Sequence, residues 1–141
     1  MIYLDTSILL PLFVPEPKSN TVPKWFAALP QNELAVSEWT CTEFMSAVGI
    51  KVRIGQLDKH DAEDIVRMFR QLVDGSLSVL TPTTEYFKLA TRYLERFDLG
   101  LRAGDALHLA IASSRGAHML YSLDQGMIKS AHALRINAQV P

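Results

Sequence analysis

The chain has 141 residues, 48% of them hydrophobic and 21% charged, and a formal net charge of −1 at pH 7. That length suits a single domain spanning 1–141, with enough apolar material for a core that needs no staples. The near-neutral balance excludes a coat or tail that holds a polyanion by net charge alone, and the single cysteine, Cys41, excludes an intrachain disulfide framework or a Cys/His zinc site.

Ile2-Tyr3-Leu4 reads as a short buried strand, followed at once by Asp5-Thr6-Ser7, which can cap a helix from Ile8 to about Val14. Pro15 and Pro17 close that element. No basic region leads into a long apolar run, and the segment Ile8 to Val14 is broken by Pro11 and too short for a bilayer. A cytoplasmic protein with no membrane partner is therefore expected. Ser19 to Thr21, with Pro23 in the first turn, open a second helix carrying Trp25, Phe26 and Leu29. Leu34-Ala35-Val36 looks like a second buried strand, after which Ser37 caps a helix to about Arg53, stopped by Gly55. Cys41, inside this helix, reads as a small buried apolar residue.

Asp58 caps the next helix, whose positions Ala62, Ile65, Val66, Phe69, Leu72 and Val73 keep helical spacing. Leu77 to Leu80 is a third strand, ended by Thr81-Pro82. The spacing predicts a helix from about Thr84 to Phe97, with Tyr86, Leu89, Ala90, Tyr93, Leu94 and Phe97 as one stripe. Arg102 to Arg115 forms another, stopped by Gly116; His118 to Ser122 is a fourth strand, Gln125 to Ala133 a short helix and Ile136 to Val140 a last strand. Strands alternating with helices predict an α/β fold with a mostly parallel sheet covered on both faces. Functional groups in such sheets gather beyond the carboxyl ends of the strands, above all where strand order reverses. Asp5 follows the first strand and Asp124 the fourth, so both face one crevice if those strands are neighbours there.

Four acids stand out. Asp5 directly follows an apolar strand, and an N-cap explains it about as well as chemistry does. Glu43 has Trp39 and Ala47 one turn away and Ile50 a turn further, an apolar setting for a glutamate. Asp105 begins the run Asp105-Ala106-Leu107-His108-Leu109-Ala110-Ile111-Ala112, apolar nearly all round, so its carboxylate needs a partner or an ion. Asp124 ends a strand, where a turn or cap residue is the plainer local explanation. Converging, the four would repel one another and lose solvation. A divalent cation removes both penalties, and Mg²⁺ and Mn²⁺ prefer carboxylate oxygen and water. Arg102 is the one basic residue beside these acids in the sequence. His108, one turn from Asp105, reads as a core histidine rather than a ligand of an oxygen-rich site.

The segments Ile2-Tyr3-Leu4-Asp5-Thr6-Ser7, Glu43, Arg102-Ala103-Gly104-Asp105-Ala106-Leu107-His108-Leu109-Ala110 and Leu120-Tyr121-Ser122-Leu123-Asp124 resemble those of the PIN-domain proteins, specifically VapC-type toxins of bacterial toxin–antitoxin pairs. The resemblance spans essentially the whole chain and is most specific around Asp105. It implies a three-layer α/β/α sandwich, an acidic cluster of Asp5, Glu43, Asp105 and Asp124, and supporting hydroxyls at Thr6 and Ser122. It further implies endonucleolytic cleavage of RNA, of the tRNA or ribosomal RNA class, and a VapB-type antitoxin that inhibits it. A homodimer is expected by the same resemblance. Asp5, Asp105 and Asp124 would bind Mg²⁺ or Mn²⁺, with Glu43 as ligand or base toward a water. Where some relatives carry a further acid after the fourth, this chain has Met127 and Ile128. Lys88, Arg92 and Arg96 form a row that either follows an RNA backbone or is a solvated edge. Trp25, Phe26 and Leu12 are either a partner surface or core.

Two rivals are disfavoured. A receiver domain needs an aspartate after its third strand, where Leu80-Thr81-Pro82 stands, and a haloacid-dehalogenase phosphatase needs one at Ser7. A non-catalytic PIN-like binding module would have lost one or more of the four acids.

Overall fold

The computed structural model describes residues 1–16, 18 and 20–141; the expected closing Pro17 and opening Ser19 lie outside the described residues. Five strands form one parallel sheet: β1 (Ile2–Leu4), β2 (Leu34–Ser37), β3 (Ser78–Leu80), β4 (Met119–Tyr121) and β5 (Ala138–Gln139), in the order β3-β2-β1-β4-β5. The chain walks outward from β1 to β3, then crosses back to the other side of β1 as β4. The order therefore reverses between β1 and β4, which pair in register Ile2↔Met119, Tyr3↔Leu120 and Leu4↔Tyr121.

Alternate residues of a strand face opposite sides of the sheet, and both faces are apolar here. Ile2, Leu4, Leu34 and Val36 pack with α1 (Thr6–Phe13), α2 (Val22–Ala27), α3 (Glu38–Arg53) and α4 (Lys59–Ser76). Tyr3, Ala35, Leu80 and Leu120 pack on the other face with α5 (Thr84–Leu94), α6 (Ala103–Ser114) and α7 (Gln125–Ala133). This is the α/β/α sandwich expected. Phe44 and Phe69 stack at 3.8 Å and 7° between α3 and α4, a contact worth about 0.5–1.5 kcal/mol beyond burial. It anchors α3 right beside Glu43. Phe26 is buried and Trp25 meets Tyr121 edge-on at 4.6 Å, so packing within the chain accounts for both. No helix among the described residues is long and apolar enough to cross a membrane.

The local signals hold at several ends. Ser37 and Thr40 cap α3 reciprocally, and Asp58 Oδ1 accepts the Asp61 N–H at 2.8 Å. Burial raises the pKa of Cys41, half-buried on α3, aided by the nearby charges of Glu38 and Asp74, which keeps it a protonated thiol. The expected helix to Phe97 is corrected: α5 stops at Leu94, and Phe97 is 89% exposed on a 3₁₀ turn. Arg96 folds onto Asp98 at 2.8 and 3.0 Å, and Gly100 adopts φ +63°, turning the chain toward α6. The basic row is broken by the same turn, and Lys88 is held by Glu85 at 2.8 Å.

Candidate active site

Asp5, Thr6, Ser7, Glu43, Arg102, Asp105 and Asp124 line one open cleft of about 300 Å³ at the carboxyl ends of β1 and β4. A larger groove of about 890 Å³ runs between the ends of α1 and α3 and the start of α4. It lacks all four acids, so chemistry rather than size selects the site.

Asp5 stands where α1 begins, yet its carboxylate makes no cap bond to the helix. Its backbone N–H instead donates to the Tyr121 carbonyl at 3.1 Å, extending the β1–β4 pairing by one residue. Ser7 and Ser122 both donate to Oδ2, at 2.6 and 2.7 Å. The Ser7 hydroxyl also accepts the Leu123 N–H at 2.8 Å, and the Ser122 hydroxyl accepts that of Asp124 at 2.9 Å. These two serines tie the ends of β1 and β4 together and aim Asp5 into the cleft.

Glu43 projects from the anchored part of α3. Its Oε2 accepts from the Thr6 hydroxyl at 2.7 Å and lies 2.6 Å from His108 Nε2. Its Oε1 comes so close to α6 that a Cβ on Gly104 would sit only 2.6 Å from it. Asp105, in the first turn of α6, faces Arg102 Nε at 3.0 Å. Asp124 is both cap and site residue: Oδ1 accepts the Met127 N–H at 3.0 Å, and Oδ2 meets Arg102 Nη2 at 2.8 Å.

The acids therefore sit as two pairs, each with a nitrogen group between its members. Arg102 bridges Asp105 and Asp124. His108, fully buried on α6, lies 2.6 Å from Glu43 and 3.3 Å from Asp5. Burial alone would lower the His108 pKa, but the hydrogen bond to Glu43 and the charges of Asp5, Glu43 and Asp105 raise it above the ordinary value. Burial would raise that of Glu43, but His108, Thr6 and Arg102 bring it below the usual carboxylate value.

The signs predict how the metal-free protein responds to pH. A histidine raised on folding stabilises fully below its unfolded pKa, about 6.5, and that contribution is lost as pH rises through the higher folded value. The lowered Glu43 stabilises above its unfolded pKa of about 4.3 and loses this as pH falls through the folded value. In EDTA, the melting-temperature advantage of the wild type over His108→Gln is expected to shrink from pH 6 to pH 9. An advantage that stays constant or grows would show that His108 gains no proton affinity on folding.

Sequence reasoning singled out the four acids, Thr6 and Ser122 and read His108 as a core histidine, which its burial matches, but it did not foresee the carboxylate contacts of that ring or a part for Tyr3, Ser7 and Gly104. The available signal was a pair of polar rings in segments otherwise wholly apolar, each of which needs a buried partner. The donor atoms close enough together to share an ion, within 4.8 Å among the described residues, belong to Asp5, Glu43 and His108. Asp105 and Asp124 line the same cleft but are held by Arg102. A carboxylate-rich set of this kind suits a hard divalent ion.

A parallel sheet whose order reverses over a cleft of acids defines the class, and the chain belongs to the PIN domain family, which matches residues 2–133. Among solved structures it is similar to VapC20 of Mycobacterium tuberculosis, described as a sarcin-ricin loop cleaving toxin, at 18% identity and TM-score 0.75, covering 92% of this chain and 95% of that one. It is also similar to VapBC-1 of nontypeable Haemophilus influenzae, at 19% and 0.69, covering 99% and 98%. FitAcB of Neisseria gonorrhoeae follows at 17% and 0.67, covering 98% and 96%. At these identities the likeness shows a shared fold. A search of the curated proteins found no match.

Proposed function

We propose that the chain is a metal-dependent endoribonuclease acting as the toxin of a toxin–antitoxin pair. The observation that carries this reading is the convergence of Asp5, Glu43, Asp105 and Asp124 on one cleft at the sheet's switch point. Family membership supports it, as does the fold shared with the Mycobacterium protein, a toxin that cleaves the sarcin-ricin loop.

Asp5 and Glu43, with Asp105 and Asp124 across the cleft, are the residues that would hold Mg²⁺ or Mn²⁺. Such an ion supplies positive charge against phosphate oxygens and lowers the pKa of an attacking water. The chain's own groups do the rest. Ser7 and Ser122 fix one oxygen of Asp5, and the other faces His108 beside Glu43. Thr6 and His108 fix Oε2 of Glu43, so that Oε1 can take the proton of the water that adds to phosphorus as the P–O bond to the leaving nucleotide breaks. Arg102, exposed and forked, can transfer its bonds from the two aspartates to the phosphodiester. The partners expected are an RNA of the tRNA or ribosomal class, a VapB-type antitoxin and a second copy of the chain, in the cytoplasm.

The test is incubation of total bacterial RNA with antitoxin-free protein, with Mg²⁺ or Mn²⁺ against EDTA and Asp105→Asn alongside. Discrete fragments that need the ion and vanish in the variant are expected; no cleavage with either ion overturns the proposal. Arg102 also competes with a cation for Asp105 and Asp124. Arg102→Ala is therefore expected to tighten Mg²⁺ binding about fivefold, the scale of one exposed ion pair, while slowing cleavage. Calorimetry showing weaker binding would make Arg102 an organiser of the aspartates instead.

A further inference from the structure

Behind the acidic cluster lies a chain of buried hydrogen bonds that runs from the sheet into the site. Tyr3, in the central strand, is fully buried, and its hydroxyl lies 2.8 Å from Ser37 Oγ, 3.3 Å from Thr40 Oγ1 and 2.8 Å from His108 Nδ1. The opposite nitrogen of the same ring, Nε2, faces Glu43 Oε2 and Asp5 Oδ1. By distance alone, Nε2 would serve equally as a metal ligand beside those two carboxylates. The hydrogens decide between the two roles.

Ser37 Oγ accepts the Thr40 N–H, and Thr40 Oγ1 accepts the Ser37 N–H. Each hydroxyl still has its own hydrogen to place, and the two oxygens lie 3.1 Å apart. That contact can hold one of the two hydrogens. The other is left for the Tyr3 oxygen, which thereby becomes an acceptor. The hydrogen of Tyr3 has two buried acceptors within reach, Ser37 Oγ and His108 Nδ1, and Nδ1 takes it when Nε2 carries the hydrogen that its two carboxylate neighbours require. A neutral imidazole that accepts at Nδ1 carries its hydrogen on Nε2. There it meets two carboxylate oxygens, the partners it suits. The other tautomer would set two carboxylate oxygens against the lone pair of Nε2 and turn the Tyr3 hydrogen back to Ser37 Oγ.

We propose that Tyr3 fixes His108 with its hydrogen on Nε2, so that His108 is a positioning residue that clamps Glu43 and Asp5 and not a ligand of the ion. The cation is left to carboxylate oxygens, in keeping with the preference of Mg²⁺ and Mn²⁺. Ser37 and Thr40, which cap α3, gain a second role as the far end of the clamp. The helix that carries Glu43 and the ring that holds its carboxylate are thus set by the same three hydroxyls.

The inference rests on the nuclease reading for its consequence at the ion, but the hydrogen's place can be read without it. Long-range ¹H–¹⁵N correlation spectra of the metal-free protein, and of the protein saturated with Mg²⁺, report which imidazole nitrogens of His108 carry hydrogen. With both spectra taken at a pH above the titration of the ring, a protonated Nε2 beside a bare Nδ1 is the expected result; an Nε2 without hydrogen in either one overturns the proposal. Tyr3→Phe removes the hydroxyl while keeping the ring. It is expected to alter the His108 signals and to weaken Mg²⁺ binding, measured by calorimetry, by about tenfold, the scale of losing an outer-shell partner. Unchanged signals and unchanged affinity in a folded Tyr3→Phe would also overturn it. If that variant does not fold, the wild-type spectra alone decide. A wild type that takes up no Mg²⁺ would sink the nuclease reading and leave the tautomer to the metal-free spectrum.

Discussion

Asp5→Asn is expected to lower RNA cleavage by about a thousandfold or more, the scale on which removing a group that acts on transition-state charge is felt. The carboxylate is nearly buried, receives two serine hydroxyls on one oxygen and faces His108 with the other. An asparagine oxygen can keep the two serine bonds, but its NH₂ then points at the Nε2 hydrogen, donor against donor. The substitution should therefore cost about 1–3 kcal/mol of stability in EDTA, the range for a buried group left unsatisfied. Thermal melts with and without Mg²⁺ separate the effects: the wild type should gain stability from the ion and the variant should gain little. A variant that still cleaves at a tenth of the wild-type rate would remove Asp5 from the chemistry.

Gly104→Ala should separate folding from activity. Alanine favours helix over glycine by up to about 1 kcal/mol, and Gly104 lies in the first turn of α6. Its new Cβ, however, would stand 2.6 Å from Glu43 Oε1, and the side chain must give way. Glu43 cannot move without loosening the bonds of Oε2 to Thr6 and His108, each worth about 1 kcal/mol. Melting temperature should fall by only a few degrees, since the helix gain offsets about half of a loss of up to about 2 kcal/mol. Cleavage should fall about a hundredfold, because displacement of a reacting group by 1 Å has that effect. Full activity in a folded Gly104→Ala would mean that the position of Glu43 is not critical.

Much of this arrangement is legible in the chain because its signals are local. Apolar runs of three or four residues followed by Asp or Ser mark β1, β2 and β4, and Ser37 and Asp58 behave as caps. Asp5 and Asp124 can be placed together from the general behaviour of parallel sheets. The end of α5 is not legible in this way. The apolar period runs on through Phe97, but helical spacing does not reveal whether a surface remains to receive the side chain, and past Leu94 the chain has already turned. The contacts of His108 escape for a related reason. Periodicity says that its position is buried; its partner, Tyr3, is 105 positions away and on the opposite side of the sheet from α3. The glycine at 104 is silent until the approach of Glu43 is known.

The place of β1 between β2 and β4 has a consequence for synthesis. Of the five strands the central one, β1, is made first, while the neighbour that completes it, β4, is made fourth. Until β4 and the residues after it emerge, β1 has an open edge, Asp5 lacks Ser122, and Arg102 has no Asp124 to meet across the cleft. Nascent chains and fragments ending before α6 are accordingly expected to leave RNA intact. If the folded form cuts the cell's own transcripts, as proposed, the order of strands itself delays the hazard until β4 and Asp124 have been made.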